Sequence, residues 1–242
     1  MKRIFLENVT GEFVTISGGE ANHLARSLRA RRGDRITAVD GSGNSAVMEL
    51  IDFDKETIKA RRVSDIRQIV REKKIILADC LPKHNRFDNI IEKATELGVE
   101  KIQPLISERT IAKPFGVRAQ ARLERWRRIA KEAAEQCARD TIPEIENICE
   151  FSTWLKKIQP LDEDTLLLFC WEEERETTIR EVLSACRDKN IIVLIGPEGG
   201  FSAREAQEIK SAGGVSVTLG KRILKTDTAA ISVLAMINYE RT

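Results

Sequence analysis

The stretch IIVLIGPEGGFSARE, residues 191–205, decides the fold class of this chain. Its continuous apolar run, 191–195, is typical of a parallel strand that is buried on both faces. Glycines and a proline follow at once, and Ser202 with Glu205 forms an S-x-x-E capping box, which predicts a helix start. In open α/β sheets, ligands bind beyond the carboxyl ends of the strands. The stretch therefore predicts a ligand loop, lined by backbone groups, on an α/β sheet.

This loop differs from the two common phosphate-binding motifs, G-x-G-x-x-G and G-x-x-x-x-G-K-[ST]. A second stretch, VTLGKRILKTDTAA at 217–230, repeats the same plan of strand, glycine and helix start. Two neighbouring strand ends that each carry such a loop can form one pocket. A tight turn that binds no ligand is the alternative for GPEGG alone, and the second loop makes that alternative less favoured.

From about residue 72 onward, predicted strands and helices alternate, which indicates a parallel α/β sheet. The predicted strands are 73–80, 101–106, 165–170, 190–196 and 215–220. The predicted helices are 87–98, 117–139, 151–158, 177–186, 202–213 and 226–240.

Residues 2–70 have a different sequence pattern, in which short strand-like runs alternate with residues typical of turns. They predict a small, mainly β, barrel-like domain with one helix at about 19–31. Its predicted strands are 2–7, 12–17, 34–40, 45–53 and 56–63. The charged stretch IRQIVREKK, 66–74, is the predicted linker. We therefore expect a β domain over 1–71 and an α/β domain over 72–242.

The composition narrows the functional classes. The net charge of the 242 residues is only +2, so any nucleic-acid interface must come from local clusters of arginine. The five cysteines are odd in number and form no C-x-x-C pair, which argues against a disulfide framework and a zinc site. The sequence has no signal peptide and no apolar run of membrane-spanning length. We expect a soluble, cytoplasmic protein.

Together, GPEGGFSARE and LGKRILKTDTAA resemble the C-terminal signature of the SPOUT methyltransferases. Within that superfamily the chain resembles the RsmE family, the 16S ribosomal RNA (uracil-N3)-methyltransferases. The resemblance extends over nearly the whole chain, through Arg3, Phe5, HLARSLR (23–29), KATELGV (93–99) and EAAEQCAR (132–139). It implies a SPOUT α/β domain with a trefoil knot, preceded by a PUA-like, RNA-binding β-barrel domain.

The cofactor that the resemblance implies is S-adenosylmethionine, contacted largely by backbone atoms of the two loops; no metal is implied. The implied cofactor-binding residues are Ile195, Gly196, Gly199, Gly200, Leu219, Gly220, Ile223 and Leu224. The family usually has Arg and Glu where this chain has Lys225 and Asp227, and Ser where it has Cys137. Lys225 keeps the charge of arginine without its bidentate fork.

Methylation of N3 of uracil requires that nitrogen to lose its proton. A general base can take the proton, or a cation can stabilise the negative charge that spreads onto O2 and O4. Glu198 is the candidate base and Arg222 the candidate cation, both in the cofactor loops. Two structural roles stay open, because Glu198 can hold the loop and Arg222 can bind a phosphate.

Residues 23–35 hold five arginines and one acidic residue, which favours contact with phosphates; a solvated helix end is the alternative. The resemblance implies that 16S rRNA of the small ribosomal subunit is the partner, and that its contacts include Arg3, His23, Arg26 and Arg29. A second basic strip lies on predicted helix 117–139, at Arg118, Arg122, Arg125 and Arg128. Pairing of these arginines with Glu124 and Glu132 of the same helix is slightly favoured over RNA contact.

The last predicted helix, 226–240, is apolar nearly all round, which indicates burial on most sides. It either fills the core of its own domain or packs in a homodimer, and the resemblance favours the homodimer.

Lys93 and Glu96 are three residues apart on a helix and are predicted to form an ion pair. The WEEER run, 171–175, is predicted to be a solvated face.

Three other functions stay open. The chain can be another SPOUT enzyme, such as a ribose 2′-O-methyltransferase, or an RNA-binding protein without catalysis. It can also be an α/β protein that binds a nucleotide or metabolite and no RNA. The fused β domain disfavours the first alternative, the intact loops disfavour the second, and the arginines of 26–35 disfavour the third.

Overall fold

The computed structural model describes residues 2–41, 43–68, 73–187 and 189–241. The chain divides into two compact units. The N-terminal unit comprises Met1–Arg71 and Ala134–Ile142, and the C-terminal unit comprises Glu72–Ala133 and Pro143–Thr242. Part of the predicted linker, 69–72, lies outside the described residues.

The N-terminal unit is built on a mixed six-stranded sheet. Its strands are β1 (Lys2–Phe5), β2 (Phe13–Ser17), β3 (Arg35–Val39), β4 (Asn44–Phe53), β5 (Thr57–Arg62) and β6 (Arg67–Gln68). The order is β1-β3-β4-β5-β2, with β6 paired to β4, and among the described strand pairs only β1–β3 is parallel. Alternate side chains such as Ile36, Met48 and Leu50 face one core and are fully buried. The five predicted strands are confirmed, and β6 is additional.

The predicted helix of this unit is shorter than expected. Helix α1 (Gly18–Asn22) continues as a π-helical turn, His23–Ser27, and Leu28 caps its end. Arg29 has a φ of +49°, a left-handed conformation that no right-handed helix continues through. The predicted end at residue 31 was therefore wrong: Arg31 and Arg32 lie in the loop before β3, and Arg35 begins that strand.

Residues 134–142 complete the N-terminal unit. Ala134 and Ile142 pack against Phe5 and Val39. The predicted helix 117–139 runs into this stretch, but the helix of the structure ends at Gln136, and Ala138 has a φ of +62°.

The C-terminal unit contains a seven-stranded parallel sheet. Its strands are β7 (Ile75–Cys80), β8 (Lys101–Ile106), β9 (Glu144–Ile145), β10 (Cys149–Glu150), β11 (Thr165–Cys170), β12 (Asn190–Ile195) and β13 (Val215–Val217). The order is β10-β8-β7-β12-β11-β13, with β9 paired to β8, and every pair is parallel. The predicted parallel α/β sheet is confirmed, and the trefoil knot stays a prediction.

Six helices accompany this sheet in the described part of the chain. They are α2 (Arg86–Glu96), α3 (Val117–Gln136), α4 (Phe151–Lys157), α5 (Ile179–Ala185), α6 (Ala203–Ser211) and α7 (Thr226–Arg241). The predicted capping box at the start of α6 is confirmed, since Ser202 and Glu205 exchange both hydrogen bonds. None of the described helices has the length and apolarity that crossing a bilayer demands.

Helices α2 and α3 are joined through one carboxylate. Asp88 accepts a hydrogen bond from Trp126 Nε1 at 3.1 Å and pairs with Arg125 at 2.6 Å. Glu124, expected to pair with neighbouring arginines, instead accepts from Gln120 at 3.2 Å. The predicted pairing was therefore wrong for Arg125, because a carboxylate on the adjacent helix lies closer.

Helix α7 is buried along one face only. Ala230, Val233 and Leu234 are fully buried, whereas Met236 and Tyr239 are exposed. Burial on most sides is thus not reached within the single chain. The homodimer that would cover the exposed face stays a prediction.

Candidate cofactor and active site

Three neighbouring strand ends meet at the carboxyl edge of the C-terminal sheet. Strand β11 lies between β12 and β13 and pairs with both. The expectation that the two loop-bearing strands are neighbours was therefore wrong, because β11 occupies the position between them. The loops after all three strands enclose a cavity of about 280 Å³.

Most of the predicted site residues line this cavity. They are Ile195, Gly196, Glu198, Gly200, Leu219, Gly220, Arg222, Ile223 and Leu224. Gly199 is not among the residues that line the cavity, and its carbonyl accepts a hydrogen bond of 2.7 Å from Arg109 Nη1. The roles assigned to these residues stay predictions.

The GPEGG loop needs glycine at two positions for different reasons. Gly200 has a φ of +65°, and a Cβ built there would lie 2.8 Å from Glu172 Oε1. A Cβ at Gly196 would lie 3.2 Å from the ring of Phe201. The Gly200 amide also donates to the carbonyl of Pro197 at 2.9 Å, which closes the turn. A side chain at Gly200 would be strained by the positive φ and would displace the end of Glu172, and one at Gly196 would press on the ring of Phe201.

The loop after β13 supplies the opposite wall. Gly220 has a φ of +112° and open space around it. Ile223, which lines the cavity, is 78% exposed, an unusual state for so large an apolar side chain. Ile223 and Leu224 together give this wall apolar surface that can pack on a flat ring.

The loop after β11 was missed as part of the site. Trp171, Glu172 and Arg175 line the cavity, so the WEEER run is more than the predicted solvated face, although Glu172 and Arg175 are exposed as that prediction expects. The indole Nε1 of Trp171 is buried and has no hydrogen-bond partner among the described residues, and the Lys210 ammonium lies 4.6 Å from the ring centroid. The signal that could have identified them is their place directly after a buried parallel strand.

Glu174 fixes the shape of this third loop. Its carboxylate accepts from the backbone N–H groups of Arg175, Glu176 and Thr177 and from the hydroxyl of Ser216. These hydrogen bonds lower the pKa of Glu174 to about 2, and the one from Ser216 has the largest effect. The carboxylate therefore ties the end of β11 to β13.

Glu198 is held by the opposite side of the site. Its Oε1 accepts from the backbone N–H of Lys83 at 2.8 Å and lies 3.8 Å from Arg86 Nη1. These contacts join the GPEGG loop to the turn between β7 and α2. They favour the loop-holding role of Glu198 over the role of general base.

A buried carboxyl group lies behind the cavity. Asp79, in β7, is fully buried, and neither of its oxygens has a hydrogen-bond partner in the described part of the chain. Burial, and then the charges of Glu198 and Asp227, raise the pKa of Asp79 well above its usual value. Burial also raises the pKa of the neighbouring Cys170 thiol to about 12. The Cys170 thiol is therefore protonated at physiological pH, and burial favours the neutral form of the Asp79 carboxyl group.

The predicted RNA-binding residues all lie in the N-terminal unit. His23, Arg26 and Arg29 are exposed. Arg3 is different, because its guanidinium is largely buried and forms an ion pair with Asp140. Burial lowers the pKa of Arg3. The RNA contacts of the four residues stay predictions, and the pairing of Arg3 gives it a structural role in this unit.

The structure also tests the predicted ion pair of Lys93 and shows the state of the five cysteines. Lys93 contacts Glu96 at 2.8 Å, which confirms the predicted ion pair, and also contacts Glu92 at 2.7 Å. The five cysteines are free thiols. Across the described ranges, no cluster of His, Cys, Asp and Glu is suited to hold a metal ion.

Comparison with known proteins assigns the family. A family model described as an RNA methyltransferase domain matches residues 70–238, and one described as an RNA methyltransferase PUA domain matches residues 16–61. Ribosomal RNA small subunit methyltransferase E of Synechocystis is 34% identical, over 96% of this chain and 75% of its own length. The chain belongs to the ribosomal RNA small subunit methyltransferase E family. The Bacillus subtilis member is 29% identical, over 99% of this chain and 97% of its own length.

Solved structures of the methyltransferase E family share the fold. The enzyme from Neisseria gonorrhoeae, bound to S-adenosyl methionine, is 30% identical with a TM-score of 0.86, over 99% of this chain and 97% of its own. A putative methyltransferase from Legionella pneumophila, in complex with the cofactor SAM, is 28% identical with a TM-score of 0.86, over 98% of this chain and 96% of its own. The predicted fold class, an α/β methyltransferase domain with an N-terminal PUA domain, is confirmed.

Proposed function

We propose that this chain transfers a methyl group from S-adenosylmethionine to N3 of one uridine in 16S rRNA of the small ribosomal subunit. The observation that carries the proposal is the cavity at three strand ends, where the predicted cofactor loops meet an exposed arginine, Arg222. Membership of the methyltransferase E family supports the substrate class. A cytoplasmic location follows from that substrate.

The cavity fits S-adenosylmethionine by its chemistry. Ile223 and Leu224 offer apolar surface to the flat adenine, and the glycine-containing loops bring backbone donors and acceptors to the cavity wall. Glu172 offers a carboxylate to hydroxyl or ammonium donors, and the buried N–H of Trp171 has no partner in the part of the chain that the structure describes. When bound, S-adenosylmethionine supplies an electrophilic methyl group on a sulfonium, so no other cofactor is required.

In the proposed mechanism the protein positions the target base and stabilises its anion. N3 releases its proton to water, and the guanidinium of Arg222 stabilises the negative charge left on the uracil oxygens. N3 then takes the methyl group, and S-adenosylhomocysteine would leave as the S–CH3 bond breaks. Glu198 holds the GPEGG loop against Lys83 and Arg86, which fixes the wall that faces the base. Positioning of this kind supplies a large share of the rate in reactions with an activated donor.

The decisive experiment is nucleoside analysis of small-subunit rRNA by mass spectrometry, in cells that lack the protein and in complemented cells. We expect 3-methyluridine to disappear from the deletion strain and to return with the wild-type gene. Complementation with an Arg222→Ala variant should not restore it. Loss of a 2′-O-methyl nucleoside instead, with 3-methyluridine intact, would replace the proposed reaction by ribose methylation.

A further inference from the structure

A groove lies at the start of α3, outside the cavity described above. It encloses about 460 Å³ and is lined by Lys113, Pro114, Phe115, Val117, Arg118 and Arg122. Phe115 is 68% exposed and Val117 is 87% exposed, whereas large apolar side chains are ordinarily buried. We call this feature the 113–122 groove.

The 113–122 groove is strongly cationic. Residues 110–128 include six lysines and arginines and one acidic residue, Glu124, which accepts from Gln120. In the described ranges no ion pair neutralises Lys113, Arg118 or Arg122. These three cations therefore surround an exposed aromatic ring without a protein counter-charge.

The groove is tied to the active-site loop. Strand β8 is parallel to its neighbours, so the segment that follows it leaves from the same edge of the sheet as the cavity loops. Within that segment, Arg109 donates to the carbonyl of Gly199 at 2.7 Å, and the Glu108 amide donates to Glu205 at 2.9 Å. A strand of RNA that reaches the cavity can thus continue along the same edge.

We propose that the 113–122 groove binds an unpaired stretch of the substrate RNA beside the target nucleotide. Phe115 stacks on a base, while Lys113, Arg118 and Arg122 contact phosphates. Stacking on an aromatic side chain needs a base that is not paired in a duplex, so the ring selects single-stranded RNA. The inference rests on the proposed function, because it assigns part of that substrate's binding surface.

A second copy of the chain is the competing occupant. A two-fold contact would bring the same surface of both copies together. Where the groove lay on the two-fold axis, the three cations of one copy would face those of the other and repel them. Charge complementarity therefore favours a polyanion over a second copy.

The test uses four variants of the full chain and two assays. Phe115→Ala removes the ring, Phe115→Tyr keeps it, and Arg118→Ala/Arg122→Ala removes two charges. Lys156→Ala/Arg180→Ala removes two exposed charges elsewhere and is the matched control. The assays are affinity for a labelled single-stranded RNA at several salt concentrations, and transfer of tritiated methyl groups to small subunits from a deletion strain.

We expect Phe115→Ala to weaken RNA affinity and raise KM for subunits about tenfold, with Phe115→Tyr near wild type. The double arginine variant should lower the slope of log affinity against log salt by about 1.4, while the control keeps the wild-type slope. Unchanged RNA affinity in Phe115→Ala and the arginine variant would overturn the proposal. A shift from dimer to monomer in sedimentation without loss of RNA affinity would assign the groove to a second copy.

Failure of the proposed reaction is a separate outcome. If wild-type protein transfers no methyl group to N3 of uridine, the reaction is wrong, yet the RNA-affinity assay still decides whether the groove binds RNA. S-adenosylmethionine affinity, measured by calorimetry, should be equal in all four variants.

Discussion

Asp79 lies directly opposite Ile195 in the register of strands β7 and β12. Ile195 is the residue from which the GPEGG loop departs, so a buried carboxyl group without a hydrogen-bond partner among the described residues lies beside the start of that loop. Burial is the main cause of the raised pKa of Asp79, and the negative charges of Glu198 and Asp227 raise it further. Ionisation of Asp79 would add a third negative charge to the floor of the site.

The first prediction concerns Asp79 and the pH dependence of stability. The unfolded chain releases this proton near pH 4 and the folded chain holds it to a much higher pH, so Asp79 destabilises the fold increasingly as pH rises above 4. Asp79→Asn should raise the melting temperature of the C-terminal unit at pH 8 by about 2 °C or more and should have less effect at pH 4. Calorimetry at both pH values measures this difference. Glu163→Gln, at an exposed carboxylate, is the control, and an equal shift at both pH values would contradict the explanation.

The sequence predicted the architecture of the C-terminal unit well and the order of its strands poorly. Apolar runs such as 191–195 identify buried parallel strands because burial on both faces demands them. The position of β11 between β12 and β13 depends on contacts between distant segments, which no local pattern encodes. For this reason the third cavity loop, with Trp171 and Glu172, was missed. The burial of the Asp79 carboxyl group could not be predicted either, because a single Asp in the run IILADC does not change the pattern of a buried strand.

Glu174 gives a prediction at acidic pH. Its pKa falls from the ordinary 4.5 to about 2 in the folded chain. Its contribution to stability is therefore complete above pH 4.5 and is lost as pH falls toward 2. Wild type should lose more stability between pH 5 and pH 2.5 than Glu174→Gln does, as measured by urea midpoints. Glu176→Gln is the control and should follow wild type; parallel curves for all three proteins would remove Glu174 from this role.

Glu172 should contribute to cofactor affinity. Its carboxylate faces the cavity beside Gly200 and can accept from a hydroxyl or ammonium group of S-adenosylmethionine. Loss of one such charge-assisted hydrogen bond weakens binding by about tenfold or more. Calorimetric titration of Glu172→Gln should show this rise in Kd, whereas Glu173→Gln, its exposed neighbour outside the cavity lining, should keep the wild-type value. Equal affinities for both variants would assign Glu172 only to the shape of the loop.

Arg222 should act on the reaction rather than on cofactor binding. Its guanidinium lies on the cavity lining and is exposed, as expected of a group that meets the second substrate. Arg222→Ala should lower kcat at least a hundredfold, as removal of one electrostatic donor does elsewhere, and should leave the Kd for S-adenosylmethionine within about twofold. Lys221→Ala, at the adjacent exposed residue, is the control. Undiminished turnover in Arg222→Ala would remove this residue from the mechanism.

The last prediction separates the two roles considered for Glu198. A side chain that holds the loop needs an oxygen to accept from the Lys83 amide, which lies 2.8 Å from Oε1. Glutamine provides that oxygen and alanine does not, so Glu198→Gln should keep kcat within about threefold while Glu198→Ala loses about tenfold or more. A general base would behave differently, because glutamine cannot take a proton, and both variants would then lose a hundredfold or more together with the acidic limb of the pH–rate profile. Transfer of tritiated methyl groups to small subunits from pH 5 to pH 9 distinguishes the two patterns. The Lys83 amide and Arg86 already occupy the carboxylate, so we expect the first pattern.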